Sequence, residues 1–546
     1  MGDRVDQIGK WFSGRGRALG PGQISDLGVR RSMREVADQA LSRTSGAPLI
    51  AGNAVRILKD ADGNYPLWLA AIRGAQRLIY LENYIFEEDE VGLEFAEALS
   101  ERASAGVRVR VIRDWMGSRS GASRGFWRRM QAAGVEIRCF NPPRLDSPFG
   151  WLSRDHRKSI AVDSEVAFVT GLCISRRWKG DPQRGVEPWR DTGVEILGPA
   201  VAAVEEAFAE IWEATGEPIP EGERSRPEQH RRAGEVSLRI VAGAPNTAGL
   251  FRMDQLIAAS ARRTLWLTDA YFVGVTAYVQ ALRAAARDGV DVRLLLPNAT
   301  DLPLIRPLSR TGYRPLIEAG VRVFEWNGTM IHAKTAVADG RWSRIGSSNL
   351  NIASFLGNYE LDVAIDNEAV AQAMEEMYTE DLEHATEIVL SRNRTRVRRI
   401  SGAAPVARLS RAQRRQARQA GRKGSIAAAG AIRVANAVGA AVTNHRVLGP
   451  TESRVLFLTG LMLLVVATLS VVWPRAVAVP LAALTLWIGS SLIWRAARLR
   501  SRRRALEAQD KPSLGPAEAA EPAQPVAPVE PAGTVESVET SRDLGG

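Results

Sequence analysis

The chain runs to 546 residues, 45% hydrophobic and 24% charged, with a formal net charge of +11 and two cysteines. At about 150 residues per domain this length suggests about three domains, and Cys139 and Cys173, in no metal-ligand spacing, argue against a disulfide framework or zinc and for a reducing compartment. The positive charge is local: residues 392–423 hold eleven Arg, one Lys and no acid, so the remainder is near neutral and a uniformly basic, nucleic-acid-binding body is not indicated.

Residues 1–50 are polar and rich in Gly and Arg, the pattern of a loosely held arm with a short helix over 33–42. The start has no apolar core and no small-residue cleavage site, so no signal peptide is expected. A first body over 51–220 opens with strands at 55–58 and 78–84, a helix at 93–103, a strand at 107–112, a helix at 127–133 and a strand at 135–140. Short β-branched runs alternating with amphipathic helices predict an α/β fold with a largely parallel sheet covered on both faces.

The order then repeats over 235–390. Strands are expected at 236–241, 265–272, 290–296 and 321–326, and helices at 251–261, 275–288 and 304–319. "LIYLENYIF" answers "LWLTDAYFV", "AGVRVRVIRD" answers "DGVDVRLLLP", and "AGVEIRCFN" answers "AGVRVFEWN". A duplication of about 180 residues is far longer than solenoid periods. It predicts two similar α/β sandwich halves packed about a pseudo-twofold axis.

Beyond 390 the character changes. Residues 391–450 carry the Arg-rich segment and an Ala- and Val-rich stretch over 426–442, open to two interpretations: an ordinary amphipathic helix or one lying in a membrane interface. Two uncharged apolar runs follow, 455–473 and 476–494, separated by Pro474-Arg475. At 1.5 Å per residue each reaches roughly 28 Å, near the hydrocarbon thickness, so a C-terminal transmembrane helical hairpin is expected. Arg/Lys crowd both flanks and only Arg475 occupies the turn, which puts both ends and the body on the cytoplasmic side of a multi-pass membrane protein. The basic flanks would attract anionic lipid headgroups. Residues 509–546, rich in Pro, Ala and Glu, have a disordered composition.

One short pattern occurs in both halves: His156-Arg157-Lys158 with Asp163, and His332-Ala333-Lys334 with Asp339, each H-x-K-x4-D, in a chain with five histidines. On a strand, residues i and i+2 share a face, so each His lies beside its Lys. Paired imidazoles and ammonium groups suit an anionic tetrahedral group, and a phosphodiester is the obvious candidate. One His can attack phosphorus while Lys158 and Lys334 hold non-bridging oxygens. The nucleophile must be neutral and the acid that protonates the leaving alkoxide cationic, so the two histidines need different environments. A covalent phosphohistidine would divide the reaction into two displacements.

The doubled motif resembles the signature of the phospholipase D superfamily, and within it the bacterial cardiolipin synthases, over roughly residues 50–390. "GSSNLN" matches the G-[GS]-x-N element, which implies phosphate contacts for Ser347 and Asn349 beside Lys158 and Lys334. "PWRDTGVEILGPAV" resembles the corresponding cardiolipin synthase segment. The family carries an acidic residue past each His that orients the imidazole, and Asp191 and Glu360 occupy those places. By analogy His156 is the nucleophile and His332 the general acid, although the residues alone leave the reverse open. Asp163 and Asp339 complete the catalytic motif, in a structural role near a hairpin. One departure is Cys173, in Thr170-Gly171-Leu172-Cys173, where the family has Asn; a buried thiol filling space is expected.

The resemblance implies a phospholipase D-like fold and a phosphatidyltransferase of the bacterial cytoplasmic (inner) membrane, without nucleotide, metal or other cofactor. Its substrate would be a phospholipid such as phosphatidylglycerol. The alternatives are a phospholipase D that uses water and, third, a nuclease, for which the Arg-rich segment lies too close to the apolar hairpin. The apolar runs follow the body here, whereas many family members carry them before it.

Overall fold

The computed structural model describes residues 26–119, 121–143, 152–302, 305–390 and 395–398, with a broken set of positions between 461 and 497. It divides into two compact units, Met1–Thr485 and Leu486–Gly546, and all the strands lie in the first.

The core is one sheet built twice. The first half supplies β1 (Ile50–Lys59), β2 (Leu78–Asn83), β3 (Arg108–Asp114), β4 (Glu136–Phe140), β5 (Lys158–Val162), β6 (Val166–Thr170) and β7 (Thr192–Leu197). The second supplies β8 (Val236–Gly243), β9 (Thr264–Thr268), β10 (Asp291–Pro297), β11 (Arg322–Trp326), β12 (Thr335–Ala338), β13 (Trp342–Gly346) and β14 (Glu360–Asp366), extended by β15 (Ala385–Leu390) and β16 (Thr395–Arg398). From the centre outward the order is β1-β7-β6-β5-β2-β3-β4 on one side and β8-β14-β13-β12-β9-β10-β11-β15-β16 on the other. The halves therefore match strand for strand. Equivalent strands β1 and β8 meet antiparallel, Ile50 opposite Leu238 and Asn53 opposite Val236, as a pseudo-twofold axis requires. Asn53 spans the register shift, its amide donating to the carbonyls of Ile50 and Val236 while its Oδ1 accepts from the Ala200 N–H.

The sheet is mixed, not largely parallel. Parallel pairing is confined to β2·β3·β4 and β9·β10·β11, the strand–helix–strand stretches whose alternation is legible in sequence. The H-x-K strands instead enter tight hairpins, β5–β6 and β12–β13, and a tight hairpin pairs its strands antiparallel. Two other expectations shift. The strand expected over 265–272 ends at Thr268, because the Asp269 carboxylate takes the N–H groups of Tyr271 and Leu350 and turns the chain. The helix expected over 304–319 is two short ones, Ile305–Thr311 and Tyr313–Ile317, parted at Gly312.

Helices Asp60–Gly74, Glu90–Ser104 and Arg124–Ala132 bury Trp68, Phe95 and Phe126 against the first half. Helices Ala200–Thr215 and Glu368–Glu383 close the other face with a core that both halves share: Phe208 and Trp212 join one cluster with Leu238, Ile345, Leu361 and Met374. Each such side chain stabilises by about 1.5–3 kcal/mol when buried, so the halves are held as one body.

The expected arm (1–50) lies partly outside the described residues. The Arg-rich segment (391–450) is described only at β16, and the tail (509–546) lies wholly outside. Of the runs 455–473 and 476–494 only scattered residues are described, nearly all helical, and among the described residues no helix is long and apolar enough to cross a membrane.

Candidate active site

The two hairpins place His156 just ahead of β5 and His332 just ahead of β12. Each turn carries its motif aspartate in the left-handed region, Asp163 at φ 54° with Ser164 at φ 59°, and Asp339 at φ 54° with Gly340 at φ 64°. Such turns fit the twist of a two-stranded hairpin. The carboxylates then cap the start of the neighbouring strand. Asp163 accepts from the N–H groups of Gln76, Arg77 and Leu78, and Asp339 from those of Arg262, Arg263 and Thr264. Both stand at the far end of β5 and β12 from the histidines. Their grouping with the catalytic residues is thereby corrected to the structural role.

At the near end the halves interlock through two short bridges, Asp155 with Tyr359 and Ile331 with Arg190. The His156 N–H donates to the Tyr359 carbonyl at 2.9 Å, and the His332 N–H to the Arg190 carbonyl at 2.7 Å. Tyr359 and Arg190 immediately precede Glu360 and Asp191. The bridge therefore delivers each carboxylate to the histidine of the other half: His156 Nδ1 lies 2.8 Å from Glu360 Oε2, and His332 Nδ1 lies 2.7 Å from Asp191 Oδ2. The family spacing had set each acid in sequence behind its own histidine; in three dimensions the partners are exchanged.

The supports of the two acids differ. Glu360 also accepts from the Ser347 hydroxyl at 2.6 Å and the Asn358 amide at 3.2 Å. Asp191 accepts instead from the Trp178 indole at 2.8 Å and the Thr192 N–H at 2.9 Å. Ser347 Oγ is bonded to Glu360 and to the Leu361 N–H. Asn349 is buried, and its Oδ1 has no partner among the described residues. Cys173, in the corresponding place of the first half, is buried, and burial pushes its thiol up.

Lys158 Nζ donates to its own His156 carbonyl, and Lys334 to the His332 carbonyl while lying 3.0 Å from His332 Nδ1. Each ammonium faces an aromatic ring, Lys158 that of Tyr84 at 5.2 Å and Lys334 that of Tyr271 at 5.9 Å. The same tyrosines stand edge-on to His156 (4.9 Å) and His332 (5.7 Å). Sequence reasoning did not single them out, although "LENY" and "TDAY" set them in matching segments.

Arg157 and Arg190 were also missed, and both tie the halves together. Buried Arg157 donates to Ala207 O, Gly243 O, Glu360 O and Glu210. Buried Arg190 binds Asp381 through two nitrogens at 2.8 and 2.9 Å and reaches Asp60 at 3.2 Å.

Burial disfavours the charged ring and lowers the pKa of both histidines. For His332, Lys334 adds to this and Asp191 opposes it, leaving a value of about 3. For His156, Glu360 opposes the burial while Lys158 and Lys334 add to it. Lys334 is itself lowered to about 8 by burial, against Asp191. Burial would raise Glu360 and Asp191, but their histidines and the lysines outweigh it and hold both ionised. Each histidine thus feels the lysine of the opposite half. The two motifs thus face one another electrostatically: two imidazoles whose charged form burial disfavours, each with a carboxylate at Nδ1, near Lys158 and Lys334.

This fold and this site define a phospholipase D-like enzyme. The sequence matches the family "Cardiolipin synthase, PLD-like domain" over residues 68–212 and 255–382, one match in each half. It is 31% identical to Cardiolipin synthase A of Pseudomonas fluorescens over 393 residues, covering 70% of this chain and 80% of that one. It is 30% identical to Cardiolipin synthase of Halalkalibacterium halodurans, covering 70% and 75%. The chain belongs to the cardiolipin synthase, PLD-like family. Its fold is shared with the crystal structure of phosphatidylserine synthase from Haemophilus influenzae, at a TM-score of 0.52 and 15% identity, covering 64% of this chain and 91% of that one.

Proposed function

We propose that the chain is a phosphatidyltransferase acting through a phosphohistidine. Nε2 of neutral His156 attacks the phosphorus of a phospholipid, the P–O bond to the departing headgroup breaks, and His332, entering the step as the imidazolium that a bound anionic substrate favours, gives its Nε2 proton to the leaving alkoxide. His332 then takes the proton of an acceptor hydroxyl, whose oxygen attacks phosphorus and frees His156. With phosphatidylglycerol as donor and acceptor, the products are cardiolipin and glycerol. Lys158, Lys334 and Asn349 hold the non-bridging oxygens, and Glu360 and Asp191 keep each imidazole in one tautomer. The observation that supports this reading is the exchanged pairing, in which the histidine of each half bonds a carboxylate of the other. Pure enzyme on phosphatidylglycerol vesicles is expected to give cardiolipin and glycerol in equal amounts by mass spectrometry. Phosphatidic acid without cardiolipin would establish hydrolysis instead.

One observation favours the reverse assignment of the histidines. His332 is held down to about 3 with Lys334 against its ring, which leaves it without the proton a general acid must carry in the free enzyme. Labelling of the intermediate separates the two assignments.

The lysine sets a pH limit. Lys334, at about 8, is charged below that pH and loses its charge as pH rises through it. kcat/KM, which reports the free enzyme, is expected to fall tenfold per pH unit above about 8. The kcat limb should lie higher, because a bound phosphodiester favours the ammonium. A kcat/KM profile flat to pH 10 would remove Lys334 from phosphate binding.

For the C-terminal region we propose a membrane hairpin over 455–473 and 476–494, entered and left on the cytoplasmic side, with the flanking arginines on anionic headgroups. Its support is the sequence pattern together with the exposure of apolar residues such as Leu464 (67%), Val471 (83%), Leu486 (75%) and Ile493 (73%), which the protein leaves uncovered.

A further inference from the structure

Residues 174–190, between Cys173 and Asp191, make a longer excursion than their counterparts 350–359, between Asn349 and Glu360. The chain forms a short helix, Arg176–Lys179, and leaves it at Gly180 (φ 75°), where a Cβ would stand 2.7 Å from the Pro188 nitrogen. Asp181 and Val186 exchange backbone hydrogen bonds at 2.7 and 2.9 Å and turn the chain back. Trp189 is then fixed from both sides. Its N–H donates to the Arg177 carbonyl at 3.2 Å, the Thr329 hydroxyl donates to the Pro188 carbonyl at 2.8 Å, and the Arg190 N–H donates to the Met330 carbonyl at 2.9 Å. Thr329 and Met330 lead into His332, so a first-half loop is pinned on the approach to the second-half histidine.

The consequence is an aromatic wall at His332. Half-buried Trp189 lies 5.7 Å from the imidazole, its plane tilted 32° to it, and 4.9 Å from Trp178. Trp178 and Tyr271 stand edge-on to the same imidazole at 5.2 and 5.7 Å. Trp178 is committed to Asp191 through its indole N–H. Trp189 packs on the first-half core.

In phosphatidyl transfer the acceptor hydroxyl meets phosphorus beside His332, and water competes for that place. In hydrolysis the water oxygen attacks phosphorus, the P–N bond to the other histidine breaks, one water proton passes to His332, and phosphatidic acid leaves. The second O–H of that water needs an acceptor, and an aromatic wall is a poor one, whereas an alcohol carries carbon there. With the roles of the histidines reversed, the phosphoryl group itself sits on the walled ring, and the same exclusion of water protects it.

We propose that Trp189 is a specificity-determining residue: its indole, set against His332 by the first-half loop, keeps water from the phosphoryl centre and directs the phosphatidyl group to an alcohol. This rests on the phosphatidyl-transfer reading and adds to it what suppresses hydrolysis.

The test is a partition. The full chain acts on phosphatidylglycerol vesicles, and the initial ratio of phosphatidic acid to cardiolipin is read by mass spectrometry. Being a ratio, it does not depend on how much enzyme is folded. Trp189→Ala, which opens the wall, and Trp189→Gln, which fills it with a polar group, are each expected to raise the ratio about tenfold, a barrier difference of about 1.4 kcal/mol between the two acceptors. Trp189→Phe, which keeps an apolar ring, is expected to stay near the wild type. An unchanged ratio in the Ala or Gln variant, or an equal rise in the Phe variant, overturns the proposal and leaves the indole as packing for Trp178. A wild-type chain that makes phosphatidic acid without cardiolipin fails the phosphatidyl-transfer reading itself, and that failure shows before any variant is made.

Discussion

Replacing either His156 or His332 by alanine is expected to lower phosphatidyl transfer by about 10⁴-fold, the scale of losing a nucleophile or a general acid. Equal losses do not tell the roles apart, but a leaving group that needs no proton does. With a p-nitrophenyl phosphodiester, the variant that lacks the acid–base histidine still forms the adduct and releases a burst of p-nitrophenolate equal to the enzyme. It then stalls, with an acid-labile phosphorylated histidine that peptide mapping can locate. The variant that lacks the nucleophile gives no burst. If His156 is the nucleophile, the burst belongs to His332→Ala. A burst from His156→Ala alone assigns the attack to His332. A burst from neither, with phosphodiester turnover intact in the wild type, removes the covalent step.

The exchanged carboxylates lead to the second large effect. Glu360→Gln and Asp191→Asn should each cost about 10³-fold or more, since the amide cannot hold the imidazole in its working tautomer or stabilise the imidazolium. The informative readout is which histidine responds. Nitrogen chemical shifts of His332 are expected to move in Asp191→Asn and those of His156 in Glu360→Gln, each across the boundary between halves. The sign also follows. Asp191 raises the His332 pKa against burial and Lys334, so the amide variant should push it lower still. If Asp191→Asn instead perturbs His156, the histidine of its own half, the exchanged arrangement is wrong.

Much of this protein is legible in one dimension because the signals are local or repeated. β-branched runs between amphipathic helices locate β2, β3 and β4 and their counterparts β9, β10 and β11. The duplicated H-x-K-x4-D gives both His/Lys pairs, since alternation along a strand fixes what lies beside what over two residues. The turn aspartates were also within reach, because a hairpin needs a residue that tolerates positive φ, and Asp163 and Asp339 supply it.

Other features needed the fold. Short pairings such as β6–β7 and β13–β14 carry no helical alternation to mark them, so the sheet looked more parallel than it is. Arg157 looked like the variable position of a motif, yet its side chain crosses to β8 and to Glu360. The bond from Ser347 to Glu360 joins residues that only the fold brings together.

The sequence by itself determined the family and its repeated His/Lys pairs. Two imidazoles and two ammonium groups in repeated frames are legible there, because residue type and strand periodicity are properties of the chain. Only the tertiary structure decided the partnerships. The pseudo-twofold axis sets Tyr359, just before Glu360, against the approach to His156, and Arg190, just before Asp191, against the approach to His332. Each half completes the other because bridges across a symmetry axis join residues that no local spacing relates.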